Sequence, residues 1–207
     1  NRHPVFRVFL ADTLSDLIAA QPRHHGIDQH KIRFFPRIEP QRAGERQMQA
    51  GDLLLVDAAC NYGYMSGDIT RTYPISGTFS PLQKDLYAIA LQAQEEGMKV
   101  ARPGASLQDI HKKTVEVIKA GLLKLGLITD VSGDQYRMWY THGASHYIGI
   151  DVHDVGDRSR PLQPGMAFVI EPGIYVRQSA LDALPRTEEN NALVEKIQPA
   201  VRKYADI

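Results

Sequence analysis

Cysteine is almost missing from this 207-residue chain, and Cys60 is its only one. A lone thiol excludes an internal disulfide framework and a structural zinc site built on thiolates, and it fits a reducing compartment. Long apolar runs are missing too: none approaches the roughly 18 residues that a membrane-spanning helix needs. Charge of one sign is absent, with 24 Lys+Arg against 24 Asp+Glu, which removes any general pull toward nucleic acid or an anionic membrane. The chain starts at Asn1 with neither an initiator Met nor a basic-then-apolar signal pattern. The expectation is a cytoplasmic globular protein, or a piece of one, whose natural start is not Asn1. A chain of this length can bury one respectable core.

The most informative stretch present is Asp52–Thr72, DLLLVDAACNYGYMSGDITRT. The apolar run Leu53–Val56 ends in Asp57, a turn signal follows at Asn61–Tyr64, and Asp68 opens a second extended segment. With Tyr62-Gly63 as a two-residue loop, Asn61 pairs with Tyr64 and Asp57 falls directly opposite Asp68. Facing side chains in an antiparallel pair have Cβ atoms about 4.5–5.5 Å apart, and like charges there repel. Such a pair reads either as a cation site or as two solvated strand-end acids. Gly67 would mark a bulge in the alternative register, and a one-residue slip would send the acids to opposite faces.

Residues 1–50 show little organisation. Val8, Leu10, Leu14, Leu17 and Ile18 give a short helical face, and His24, His25 and His30 have no recognisable ligand spacing, so a solvated segment or remnant is expected. Ser80, Pro81 and Gln83 form a capping-box signature for a helix with Leu82, Leu86, Ile89, Ala90 and Ala93 as its buried stripe, ending at Gly97 or at Pro103-Gly104. Ser106 and Asp109 cap a second helix, with Ile110, Thr114, Val117, Ile118, Leu122 and Leu125 inward and Gly126 as its stop. Both helices are expected to cover a sheet and to carry no chemistry, with His111 at the surface. Asp130–Tyr140 reads as a polar loop. Then come His142, His146 and His153 within twelve residues, and an apolar run Met166–Ile170 ending in Glu171 before Pro172-Gly173. The tail from Arg186 is charged and helical in pattern.

Asp57, Asp68, His146 and Glu171 form an oxygen-rich set with one imidazole, which suits Mn²⁺, Co²⁺, Fe²⁺ or Zn²⁺. Several carboxylates around one centre suggest two cations sharing bridging ligands. Taken singly, each residue has a plainer reading as a turn acid or a hydrogen-bonded histidine. His142 and His146 make an HxxxH that is not the HExxH zinc motif, because the acid beside the first histidine is missing.

Three phrases, LLLVDAACNYGYMSGDITRTYP, THGASHYIGIDVHDVG and GMAFVIEPGIYV, resemble the signature blocks of the M24 metallopeptidases, most closely the Xaa-Pro aminopeptidases (aminopeptidase P) and prolidases. The resemblance covers about residues 51–180. It implies an α+β pita-bread fold, a curved antiparallel sheet covered by helices in two pseudo-symmetric halves. It also implies a dinuclear centre, usually of manganese, and hydrolysis of Xaa-Pro peptide bonds by a metal-bound hydroxide. By position, Asp57 matches a terminal ligand, Asp68 a bridging one, and His146 and Glu171 ligands on the other metal. Glu171 also matches the family's general base, His153 the histidine at the scissile peptide, and His142 the one lining the substrate pocket. Ser145 before His146 favours aminopeptidase P over prolidase.

The flanks depart from that pattern. The family's fifth ligand is a second, bridging glutamate, and Glu188, Glu189 and Glu195 sit in a helix-like tail that does not match its strand. Residues 34–50 lack the family's His-Tyr pair. The expected organisation is therefore a remnant over 1–50 and an incomplete catalytic domain over 51–207, with weakened or single metal occupancy. Uncovered surface would favour a homo-oligomer or a partner chain. The expected substrate is a proline-containing peptide. The alternatives are a prolidase and a truncated, non-catalytic binding module.

Overall fold

The structure is a computed structural model that describes residues 33–34 and 48–205. The helical face over Val8–Ile18 and the histidines at 24, 25 and 30 lie outside the described residues. Arg33–Phe34 (β1), Leu53–Ala59 (β2) and Ile69–Pro74 (β5) make a three-stranded sheet in the order β1-β2-β5, and Asn61–Tyr62 (β3) and Met65–Ser66 (β4) make a two-stranded one. Both pairings along the hairpin are antiparallel and in a single register, Tyr62 opposite Met65 and Asp57 opposite Thr70.

That register corrects the expected one. The loop is Gly63-Tyr64 rather than Tyr62-Gly63, with φ of 55° and 68° at its two residues. Two successive positive φ values are the requirement of a type I′ hairpin turn, whose twist matches that of the flanking strands. Asp57 therefore faces Thr70, and Asp68 lies two residues farther along, on the diagonal of the same face. A shift of two preserves the face because side chains alternate with period two. Gly67 is no bulge: its N–H continues the ladder to the Cys60 carbonyl at 2.6 Å. A Cβ there would lie 2.8 Å from the Cys60 sulfur, so a larger residue at 67 would have to turn that side chain away.

Helix α1 (Pro81–Val100) starts at the expected capping box, with Ser80 accepting from the Gln83 N–H and the Gln83 side chain accepting from the Ser80 N–H. The other end of the Gln83 amide donates to the Gly51 carbonyl at 2.8 Å, tying the helix to the root of β2. Gly97 does not end α1. It is buried, and a Cβ on it would lie 3.0 Å from Thr114 Cγ2 and 3.3 Å from Ile170 Cγ2, so it serves close packing. Helix α2 (Leu107–Lys124) has the second capping box, Ser106 with Asp109, and Gly126 follows with φ of 75°. The two helices pack on each other and, through Leu82, Leu86, Ile89, Ile118 and Leu122, join a core that includes Ile174 and Val176.

The stretch expected as a polar loop is part of that core. Gln135–Met138 forms a 3₁₀ turn, and Tyr136, Trp139 and Tyr140 are buried, with the Trp139 indole donating to the Leu127 carbonyl at 2.8 Å. The chain then runs out through Ala144–Ile148 and returns through Ala167–Glu171. Val169 donates to His146, Glu171 to Ala144, and Ile148 to Ala167. Only the Tyr147–Phe168 bridge is regular, since Pro164-Gly165 and Pro172-Gly173 keep the run short. The described residues thus hold a three-stranded and a two-stranded sheet and one looser antiparallel pair. Gln178–Asp182 (α3) and Glu188–Tyr204 (α4) close the order, α4 burying Ile197, Val201 and Tyr204.

Candidate metal centre

Each of the two antiparallel pairs delivers two of the expected residues on a diagonal. Asp57 and Asp68 come from the hairpin, and His146 and Glu171 from the looser pair, where His146 is bonded across to Val169, two residues before Glu171. The structure brings three of them together: one ligand atom each from Asp68, His146 and Glu171 lies within 4.8 Å of the others. His146 Nε2 is 3.2 Å from Asp68 Oδ2 and 3.3 Å from Glu171 Oε1. Asp57 stands against Asp68 without joining that trio, and its charge raises the Asp68 pKa.

The tautomer of His146 follows from its other nitrogen. Nδ1 is 3.0 Å from the Tyr147 carbonyl, which only accepts, so Nδ1 carries the proton. In the neutral ring Nε2 is then a lone pair, buried, without a hydrogen-bond donor, and aimed at two carboxylates. Three electron-rich atoms in that arrangement repel unless a cation or a proton sits among them. Atoms bonded to one cation at about 2.1 Å lie about 3.0–3.4 Å apart when adjacent in its shell, which matches both measured separations. Electrostatics agree. Burial first, then the charge of Asp57, pushes the Asp68 carboxyl up, and burial first, with Asp68 and Asp57 adding, pushes Glu171 up. Glu171 is the opening of the site, its side chain 31% exposed against 9% for Asp68.

The remaining histidines flank the trio. The His153 ring stands edge-on to His146 with centroids 4.3 Å apart, and the residue is exposed. His142 lies on the Glu171 side of the trio. Its Nδ1 donates to the Gly143 carbonyl and its Nε2 accepts from the Tyr175 hydroxyl, both at 2.9 Å. Tyr175 was not among the sequence candidates. It folds back over Gly173, where a Cβ would lie 2.5 Å from the phenol oxygen, and that Pro-Gly turn is the one signal that points to it.

The model of metallopeptidase family M24 matches residues 33–197. The chain belongs to that family. As an M24 chain it is 41% identical over 177 residues to the Xaa-Pro aminopeptidase of Escherichia coli K12, which covers 76% of this chain and 40% of that protein. It is 37% identical over 139 residues to human Xaa-Pro aminopeptidase 3, covering 64% of this chain and 27% of that one. Among solved structures, Pseudomonas aeruginosa aminopeptidase PepP superposes with a TM-score of 0.60 at 40% identity, over 65% of this chain and 33% of that one. A zinc-substituted E. coli aminopeptidase P in complex with product gives 0.60 at 39% identity, over 70% and 34%. The M24 chain thus shares the α+β pita-bread fold of these structures in part, and spans about 40% of the length of its E. coli relative. Membership in a metallopeptidase family implies a divalent metal, and the donor set of Asp68, His146 and Glu171 fits one. Among the described residues no helix is long and apolar enough to cross a membrane.

Proposed function

We propose that this chain carries the metal-bearing part of an exopeptidase that removes the N-terminal residue from Xaa-Pro peptides, in the manner of aminopeptidase P. The observation that carries the reading is the His146 Nε2 lone pair, buried between two carboxylates in an M24 chain. In this reading Asp68, His146 and Glu171 would hold one divalent ion, and Asp57 would contribute to a second beside it. Manganese is the proposed ion, since an oxygen-rich set with a single imidazole suits it. When bound, such ions supply Lewis acidity and a water of lowered pKa.

The chain's own residues do the rest. Glu171 is the reachable carboxyl of the trio, the place a general base requires. His153 stands at the exposed rim beside His146, where its N–H can donate to a carbonyl oxygen as charge develops there. His142 is held at both nitrogens, so it contacts a substrate only by exchanging the Tyr175 hydroxyl for it. A cytoplasmic setting, supported by the single exposed Cys60, and assembly with further copies, supported by the exposed Leu55 and Ile69 on the sheet, complete the proposal. The test loads the chain with Mn²⁺ and compares an Xaa-Pro-Yaa peptide with an Xaa-Pro dipeptide. Release of the first residue from the longer peptide is expected. Cleavage of the dipeptide alone would mark a prolidase, and bound metal without turnover would mark a binding module; either result defeats the proposal.

A further inference from the structure

The two long helices carry two polar side chains that the proposed chemistry leaves unused. Gln94 on α1 donates its Nε2–H to the Ile170 carbonyl at 2.8 Å. His111 on α2, half-buried, accepts the Ala144 N–H on its Nδ1 at 3.2 Å. The Ala144 carbonyl in turn accepts the Glu171 N–H at 2.8 Å. One helix therefore holds the peptide immediately before Glu171, the other holds a peptide two residues before His146, and a third hydrogen bond joins the two held segments.

We propose that Gln94 and His111 are positioning residues, a polar clamp that fixes the His146 and Glu171 backbones relative to one another. The inference rests on the reading that these two side chains share a cation. Ala144 is fully buried, so its N–H has no water to turn to. Leaving a buried donor unpaired costs about 1–3 kcal/mol. An imidazole accepts at Nδ1 only when neutral there. Burial, followed by Arg137, Arg158 and His142, pushes the His111 pKa down and keeps it so. Gln94 reaches its target because Gly97, three residues on, lets α1 approach Ile170 within side-chain contact. Metal sites depend on such outer partners: losing one costs about 10–100-fold in affinity.

The test uses the full chain and four variants: His111→Leu, His111→Asn, Gln94→Met and, as a control, Asp68→Asn. Asparagine at 111 offers an amide oxygen where the imidazole offered Nδ1. Two readouts are taken, amide hydrogen exchange at Ala144 and Glu171 in the metal-free chain, and Co²⁺ affinity with its visible absorption bands. His111→Leu is expected to speed exchange at both amides and to weaken Co²⁺ about 10–100-fold with shifted bands, and His111→Asn to recover both. Gln94→Met should weaken Co²⁺ in the same direction, and it carries the test should His111→Leu not fold. Wild-type exchange and wild-type Co²⁺ affinity in folded His111→Leu or Gln94→Met would overturn the clamp, as would His111→Asn behaving like His111→Leu. Unchanged Co²⁺ affinity in Asp68→Asn would instead overturn the shared-cation reading, and the exchange data would still decide the clamp.

Discussion

Replacing Asp68 with asparagine is expected to move the metal-free and the metal-loaded chain in opposite directions. Without metal, Asp68 is a carboxyl taken out of water beside Asp57, and its pKa is raised by burial first and by that neighbour second. A carboxyl whose folded pKa exceeds its unfolded value binds more protons folded than unfolded. Stability then falls as pH rises from the unfolded value through the folded one. The penalty grows as pH climbs above the unfolded value, and a neutral amide of the same shape removes it. Metal-free Asp68→Asn should therefore melt above wild type at pH 7, and the two curves should converge below about pH 4, the ordinary carboxylate value. Metal reverses the order. Free Mn²⁺ at a hundredfold excess over Kd stabilises the wild-type chain by about 2.7 kcal/mol. For a chain of this size each kcal/mol moves Tm by about 2–4 °C, so the expected rise is about 5–11 °C. Asp68→Asn removes one of only two carboxylates in the trio, and its rise should fall toward zero. Scanning calorimetry with a chelator or with Mn²⁺, from pH 4 to pH 8, measures both arms. A lower metal-free Tm in the variant at pH 7, or an equal metal-induced rise in both chains, would refute the assignment of the buried acid cluster to a cation.

Two further outcomes follow from contacts away from the trio. Tyr175→Phe removes the hydroxyl that holds His142 Nε2; it should lower kcat by up to about tenfold, the worth of one neutral hydrogen bond, while the metal-induced Tm rise stays at the wild-type value. Trp139→Phe leaves the Leu127 carbonyl without its indole donor in a fully buried place, and urea denaturation should show a loss of about 1–3 kcal/mol.

The sequence disclosed best what local chemistry decides. Ser80 with Gln83 and Ser106 with Asp109 are capping pairs whose meaning depends only on neighbours in the chain, and both helices start where those pairs stand. The shared face of Asp57 and Asp68 was legible for the same reason. Their offset was not, because glycine ordinarily takes the second place in a type I′ loop. Here Gly63 takes the first, and Tyr64 accepts the second positive φ. Three-dimensional partners were the least legible. Tyr136 sits among polar residues on a 3₁₀ turn, with Trp139 and Tyr140 just after it, and a period of three matches neither a helix nor a strand. His111 and Gln94 lie beside the apolar stripes of their helices, at the border where a polar residue ordinarily faces solvent. Only the Ala144 N–H and the Ile170 carbonyl across from them show why they are polar.

The hairpin's geometry also separates what can vary in this chain from what cannot. At its inner end parity rules, since Asp57 and Asp68 share a face for any even offset and lose it for any odd one. Its outer end, with Tyr62, Tyr64 and Met65 all exposed, carries no such constraint. One residue added to each arm would extend the tip by about 3.4 Å and leave the acids where they are. One residue added to a single arm would have to be absorbed as a bulge before it reached Asp68. The same ribbon can thus be lengthened at the tip to suit different neighbours while its root keeps a fixed inorganic chemistry.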